Sequence, residues 1–325
     1  MSDAGLLAAV RDLGLLAPGE GGEAFPLTGG VSADVFGVRA ESGRRLVVKR
    51  SIPRLRVQAE WRAPVERDAI EAAWLETVGA IDRRLAPRVL ARSADQHLIV
   101  LEWRDGLVWK AEMAAGRVDP AFAGLVGRNL ARIHVATAGR VDIAARFPDA
   151  GNFGALRIDP FLLYTADRHG DVAPRLRELT ENLHHSKTAL IWGDASPKNI
   201  LAGPDGPVFL DAETAAYGDP AFDLAFCLTH LLLKTIWLAP HADALLASFA
   251  ALREAYVAGF TADPDFSARA AALVGALLLA RVDGKSPAGY LDEGQNKIVR
   301  VRAKAILRRP DLDLGALPAF WVALA

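Results

Sequence analysis

The stretch Leu190-Ile-Trp-Gly-Asp-Ala-Ser-Pro-Lys-Asn-Ile-Leu201, with Val208-Phe-Leu-Asp-Ala-Glu-Thr214 close behind it, decides the reading of this chain. The apolar runs at 187–192 and 207–211 have the length and composition of short strands flanking a loop. Each gives way to a carboxylate. Asp194 follows the first run, and Asn199 lies five residues on, just before Ile200 and Leu201 re-enter the core. Asp211 ends the second run, and Glu213 lies two residues further. In an extended chain those last two carboxylates point to one side. Carboxylates and an amide oxygen converging on one spot form a hard, oxygen-rich site that suits Mg²⁺. Phosphoryl transfer uses such a set: an Asp to accept a hydroxyl proton, and an Asn with an acid to hold the metal on the phosphates. The same residue types also serve as Asx turns and caps between strands, so the first segment taken alone has two readings.

Working outward, Leu27-Thr-Gly-Gly-Val-Ser-Ala-Asp-Val-Phe-Gly-Val38 is a glycine-containing turn between two β runs. Gly29 and Gly30 permit close approach of backbone to a phosphate, and Ser32 can donate a hydrogen bond. Residues 35–38 and 46–48 are short β runs separated by Glu41-Ser-Gly-Arg44, which predicts a hairpin. Lys49 follows on the second of these strands. It either points to solvent, as most lysines do, or reaches ATP phosphates while held by an acid of the next helix. Helical spacing over 65–78 offers Glu66, Asp68 and Glu71 as that acid. A further strand is expected at 97–102. The chain up to 104 therefore reads as a small β-rich lobe with an inserted helix. Residues 105–325 read as a larger, mainly helical lobe, with helices near 120–136, 221–237, 242–258 and 267–282.

The order of parts (Gly turn, strand Lys, helix acid, Asp–x4–Asn loop, strand-end Asp) resembles the protein-kinase-like fold in its small-molecule branch. That branch is the aminoglycoside phosphotransferase and choline kinase group. Gly193-Asp194-Ala-Ser-Pro197-Lys-Asn199-Ile-Leu201 resembles its catalytic loop, Asp211 its metal-binding Asp, and Gly218-Asp219-Pro220-Ala-Phe-Asp223 its downstream segment. Asp211-Ala-Glu213 and the long connection after Lys49 also look like methylthioribose kinase. The resemblance implies an α+β bilobal fold and an ATP- and Mg²⁺-dependent phosphotransferase acting on a hydroxyl of a small molecule. The acceptor would be a sugar such as methylthioribose, an aminoglycoside or an amino alcohol. It implies Asp194 as catalytic base, with Asn199, Asp211 and Glu213 at the metal. Lys49 would contact the phosphates with Glu71 as its partner, or Asp68 if the antibiotic kinases are the better guide. Adenine would sit against backbone near Glu102 and Trp103, with Asp223 tying the catalytic loop down. The sequence departs from the group at Trp192, where the loop usually begins with His. The competing expectation is a catalytically silent nucleotide-binding module.

Composition bounds the alternatives. The chain has 325 residues, is 51% hydrophobic and 24% charged, and so can bury a substantial core. Its 38 Lys and Arg balance 39 Asp and Glu, a formal net charge of -1, which argues against nucleic acid or an anionic membrane as partner. Arg44, Arg45, Lys49, Arg50, Arg54, Arg56, Arg62 and Arg67 crowd one segment and read mainly as solvated charge. One cysteine, Cys227, excludes an intrachain disulfide and a cysteine zinc site. No His-Glu-x-x-His and no Gly-x-Ser-x-Gly occurs. The opening residues lack a basic segment before their apolar run, and no apolar stretch reaches the ~20 residues a membrane span needs. A cytoplasmic protein is expected.

Overall fold

The computed structural model describes residues 3–27, 32–56, 61, 64–148, 151–261 and 263–324. They form two compact units, Met1–Asp105 with Val208–Glu213, and Gly106–Pro207 with Thr214–Ala325. The expected division at 104 put Asp211 and Glu213 with the second lobe. The structure groups them with the first instead, because the chain passes between units within the strand Gly206–Phe209. Phe209 N then bonds Leu85 O at 2.7 Å inside the first unit.

The first unit is a five-stranded antiparallel sheet with two helices. Helix α1 spans Asp3–Asp12 and α2 spans Arg67–Ile81. The strands are β1 (Gly22–Pro26), β2 (Ala33–Ala40), β3 (Arg45–Ser51), β4 (Val89–Ser93) and β5 (Leu98–Glu102), in the order β1-β2-β3-β5-β4. The expected hairpin joins β2 to β3, with Gly43 at φ +83° and its N–H on Ala40 O. That left-handed conformation is why the turn needs glycine. Leu46 and Val48 of β3 and Leu98 and Val100 of β5 share a core with Leu6, Ala9 and Val10 of α1. Side chains alternate along a strand, so Lys49 and its cross-strand partner Ile99 fall on the opposite face. Helix α2 buries Ala72, Trp74, Leu75 and Val78.

The second unit is mainly helical. Its long helices are Pro120–Thr137, Ala173–His185, Pro220–Trp237, Ala242–Gly259, Phe266–Asp283 and Glu293–Leu307. Two of them begin the same way. Asp119 and Asp219 cap the N–H of Ala121 and Ala221, and each is followed by a proline whose missing N–H is no loss at a helix start. Pro120–Thr137 packs closely on Ala242–Gly259: a β-carbon at Gly127 would collide with Leu252 O. A stretch of π-helix, Gly154–Leu163, contains Pro160 and was not foreseen from sequence. The short strand Ala189–Ile191 pairs antiparallel with Ala216–Gly218. No single helix among the described residues is long and apolar enough to cross a membrane. The small antiparallel sheet and the helical second unit make the α+β kinase-like architecture expected from the sequence.

Candidate active site

In the first unit the chemistry gathers around Lys49. Its Nζ donates to Glu71 Oε2 at 2.7 Å and to Asp211 Oδ1. Lys49 is 8% exposed and Glu71 2%. Burial works against the ammonium, but the carboxylates of Asp211, Glu71 and Glu213 outweigh it and hold Lys49 protonated. Burial pushes Glu71 up, to about 7, with Lys49 pulling against it. Asp211 lies in the left-handed region at φ +62°, uncommon for a non-glycine residue and tolerated by Asp better than most. Of the three acids that sequence offered on this helix, Glu71 meets Lys49. Asp68 lies one turn away and takes Arg92 Nε at 2.6 Å. Glu66 stands at the helix start with no capping bond from its side chain.

Glu213 has a partner that the sequence did not suggest. Its Oε2 accepts from Arg67 Nε at 2.8 Å. Arg67, expected among the solvated charges, is fully buried. The cause is its hydrogen bonding. Nη1 donates to Pro64 O at 2.6 Å, and Nη2 to Ile52 O at 2.8 Å and to Ser32 O. One guanidinium thus fastens the ends of β2 and β3 to α2. Ser32 is buried, its carbonyl taken by Arg67 and Ile52 N–H. Gly29 and Gly30 lie outside the described residues. Glu102 ends β5 with its carboxylate on the Arg88 N–H at 3.2 Å, and Trp103 Nε1 donates to Asp105 at 3.0 Å. Both side chains are thus engaged locally, and the expectation there concerned backbone rather than side-chain contact.

The second unit holds Asp194 on a braced loop. Gly193 sits at φ +77°, and a β-carbon there would lie 2.5 Å from Thr214 O, so no other residue fits. Asp223, fully buried, accepts the N–H groups of Trp192 at 2.6 Å and Gly193 at 2.7 Å. His134 closes the network, 3.2 Å from Asp223 and 2.8 Å from Tyr256 Oη. Trp192, where the resemblance expects His, is itself buried. Asp194 Oδ2 lies 2.9 Å from Arg157 Nη2 and 3.2 Å from Lys198 Nζ. Arg157 also donates to Gly193 O. Asn199 Nδ2 donates to Asp194 O at 3.2 Å, so its amide oxygen takes no part in that bond.

The bracing by Asp223 has a measurable consequence. Asp223→Ala leaves two buried N–H groups without an acceptor, at about 1–3 kcal/mol each, so a loss of about 2–6 kcal/mol is expected. Asp223→Asn, which keeps one acceptor oxygen, should lose less. Urea denaturation monitored by circular dichroism checks both. An Ala variant as stable as the wild type would remove Asp223 from the account.

Among the described residues no three His, Cys, Asp or Glu side chains cluster to form a metal cage. Mg²⁺ does not need one, because it typically takes one or two protein carboxylates and completes its shell with phosphate oxygens and water. Asp211 in the first unit, with 27% of its side chain exposed, and Asn199 in the second each carry an oxygen donor of the kind Mg²⁺ takes.

A family model, APH, described as the phosphotransferase enzyme family, matches residues 23–293. No curated protein matches the chain. Solved structures similar to it include a choline/ethanolamine kinase family protein from Mesorhizobium loti, with 19% identity and TM-score 0.60, covering 98% of both chains. A fructosamine-3-kinase-like protein from Thermobifida fusca YX-ER1 has 20% identity and TM-score 0.56, covering 93% of this chain and 98% of that one. Amicoumacin kinase hAmiN, in complex with AMP-PNP, Ca²⁺ and Ami, has 15% identity and TM-score 0.64, covering 98% and 97%. At these identities the likeness concerns the fold.

Proposed function

Because the chain belongs to the phosphotransferase enzyme family, we propose that it transfers the γ-phosphoryl group of ATP to a hydroxyl of a small molecule. The observation that carries this reading is the buried Lys49 ammonium bound by both Glu71 and Asp211. A buried cation held by two acids from distant parts of the chain is a costly arrangement for structure alone. A lysine held ready for phosphate oxygens explains it.

In this reading Lys49 binds phosphates and Glu71 orients it. Asp211 and Asn199 are the Mg²⁺ ligands. When bound, the ion neutralises phosphate charge. Glu213 is assigned to holding Arg67, and through Arg67 the ends of β2 and β3, rather than to the metal. Adenine meets the backbone at Glu102 and Trp103. Asp194 orients the acceptor hydroxyl and takes its proton as the oxygen attacks phosphorus. The O–P bond to ADP breaks as the new one forms, and ADP leaves with the displaced oxygen. Catalysis then consists of positioning and charge stabilisation.

Purified protein with ATP and Mg²⁺ should release ADP only when a suitable hydroxyl compound is added, as read by a coupled assay over a panel of sugars, amino alcohols, hydroxy acids and aminoglycosides. Mg²⁺-dependent ATP binding without acceptor-dependent ADP release from any compound would favour the silent module instead.

A further inference from the structure

The acceptor's charge can be read from the side chains around Asp194, granting the transfer to a hydroxyl proposed above. Arg157, one of the two cations on Asp194 Oδ2, lies over the rings of Phe161 and Phe226, 5.5 Å from each centroid. Arg281 lies 5.9 Å from the same Phe161 ring. The Phe226 ring meets His230 at 5.2 Å, and one turn further along that helix is Lys234. Lys234 is 1% exposed, and its Nζ has a single weak hydrogen bond, 3.3 Å to the carbonyl of His230. It lies 5.7 Å from the Tyr290 ring, and Lys110 lies 4.9 Å from that ring. Five separate stretches of chain thus bring Lys110, Arg157, Lys198, Lys234 and Arg281 together. Asp194 is a carboxylate that faces Arg157, Lys198 and Arg281.

The imbalance shows in the cations themselves. Burial, Lys110 and Arg281 push Lys234 down to about 7. Burial, Arg281 and Lys198 lower Lys110. Burial and Arg157 lower Arg281, against Tyr290 and Asp194. Burial and the same cations hold His230 well below its ordinary value. Two further polar atoms nearby, Tyr290 Oη and Arg281 Nε, are buried without a hydrogen-bond partner. Cations that depress one another in a partly dry environment are unfavourable unless a negative group sits among them. The acidic pair late in the chain gives a polycationic acceptor little support: Asp292 caps its helix through Gln295 N at 2.8 Å, and the Glu293 side chain is 86% exposed.

We propose that the acceptor carries, besides its hydroxyl, an anionic group, a carboxylate or phosphate, that binds among Lys234, Arg281 and Lys110. Arg281 Nη1 is taken by Ser286 O and Oγ, so such a group supplies the missing counter-charge and accepts from Lys234 Nζ, Arg281 Nε and Tyr290 Oη. Amino alcohols and aminoglycosides would add charge of the wrong sign.

The test measures binding rather than turnover. With AMP-PNP and Mg²⁺ present to occupy the nucleotide's own contacts, inorganic phosphate, D-gluconate, glycerol, ethanolamine and kanamycin are compared by calorimetry and thermal shift. Phosphate or gluconate is expected to bind about tenfold or more tighter than the neutral and cationic probes. The double variant Lys234→Met, Arg281→Met should lose that preference by a similar factor. Lys234→Met alone removes an uncompensated buried cation, so it should fold and melt above the wild type without probe. Equal binding of amines, absent anion binding, or unchanged anion binding in the double variant would each overturn the proposal. Anion binding with no ADP release from any acceptor would retire the kinase reading and leave the anion site itself standing. ADP release confined to neutral or cationic acceptors would do the reverse.

Discussion

Asp194→Asn should lower acceptor-dependent ADP release by about 10²–10⁴-fold, the range that a positioned general base contributes. The substitution is nearly isosteric and keeps an oxygen for Arg157 and Lys198, which lie 2.9 and 3.2 Å from Asp194 Oδ2. The loop itself is fastened by other groups, namely Asp223 on the Trp192 and Gly193 N–H groups and Thr214 Oγ1 on Trp192 O. The variant should therefore fold as the wild type does and bind Mg²⁺–ATP with similar affinity, while the transfer step slows. Coupled ADP release with a melting curve on the same preparation separates the two effects. Wild-type turnover in a folded variant would remove Asp194 from the reaction.

Lys49→Met should lower kcat/KM for ATP by about 10²–10³-fold, the loss that follows removal of one preorganised electrostatic group from a protected site. It should also change how stability depends on pH. Glu71 already sits at about 7 because of burial, with Lys49 pulling it down. Without the ammonium its value rises further, while in the unfolded chain it stays near 4.5. A carboxyl raised in the folded state contributes stability fully below about pH 4.5 and loses it as pH rises through the folded value. The variant should therefore go on losing stability as pH rises above about 7, where the wild type has already lost the contribution of Glu71. Urea midpoints across that range check this. Parallel profiles for the two proteins would mean that Lys49 and Glu71 are not coupled in solution.

What the sequence made legible was whatever short-range pattern dictates. Alternating apolar residues around Glu41–Arg44 specify the hairpin, and the same alternation determines that Lys49 leaves the face holding Leu46 and Val48. The loop from Gly193 to Asn199 and the strand-end Asp211 stood out because polar residues interrupt buried runs there. The choice between Asp68 and Glu71 was not legible, because residues three apart share a helix face. What decides it is Arg92 on β4, which takes Asp68. Arg67 was misread for a related reason. A charge in a run of charges reads as solvated, and nothing local announces that Glu213, 146 residues on, and three backbone carbonyls will enclose it. The domain division failed at Asp211 and Glu213 because strand composition does not say which core a strand's end joins. The cations around Asp194 come from five separated stretches. Only Lys234, the single Lys or Arg of an apolar helix, carried a signal that could have been followed.

The central claim is that this chain moves a phosphoryl group from ATP to a small-molecule hydroxyl. Phosphorus NMR of a reaction containing ATP, Mg²⁺ and a responding acceptor tests it most directly. The expected spectrum shows ADP and a new phosphate ester growing in equal amounts, with neither formed by Asp194→Asn. Pyrophosphate and AMP in place of ADP, or ADP accompanied only by free phosphate whether or not acceptor is present, would contradict the account.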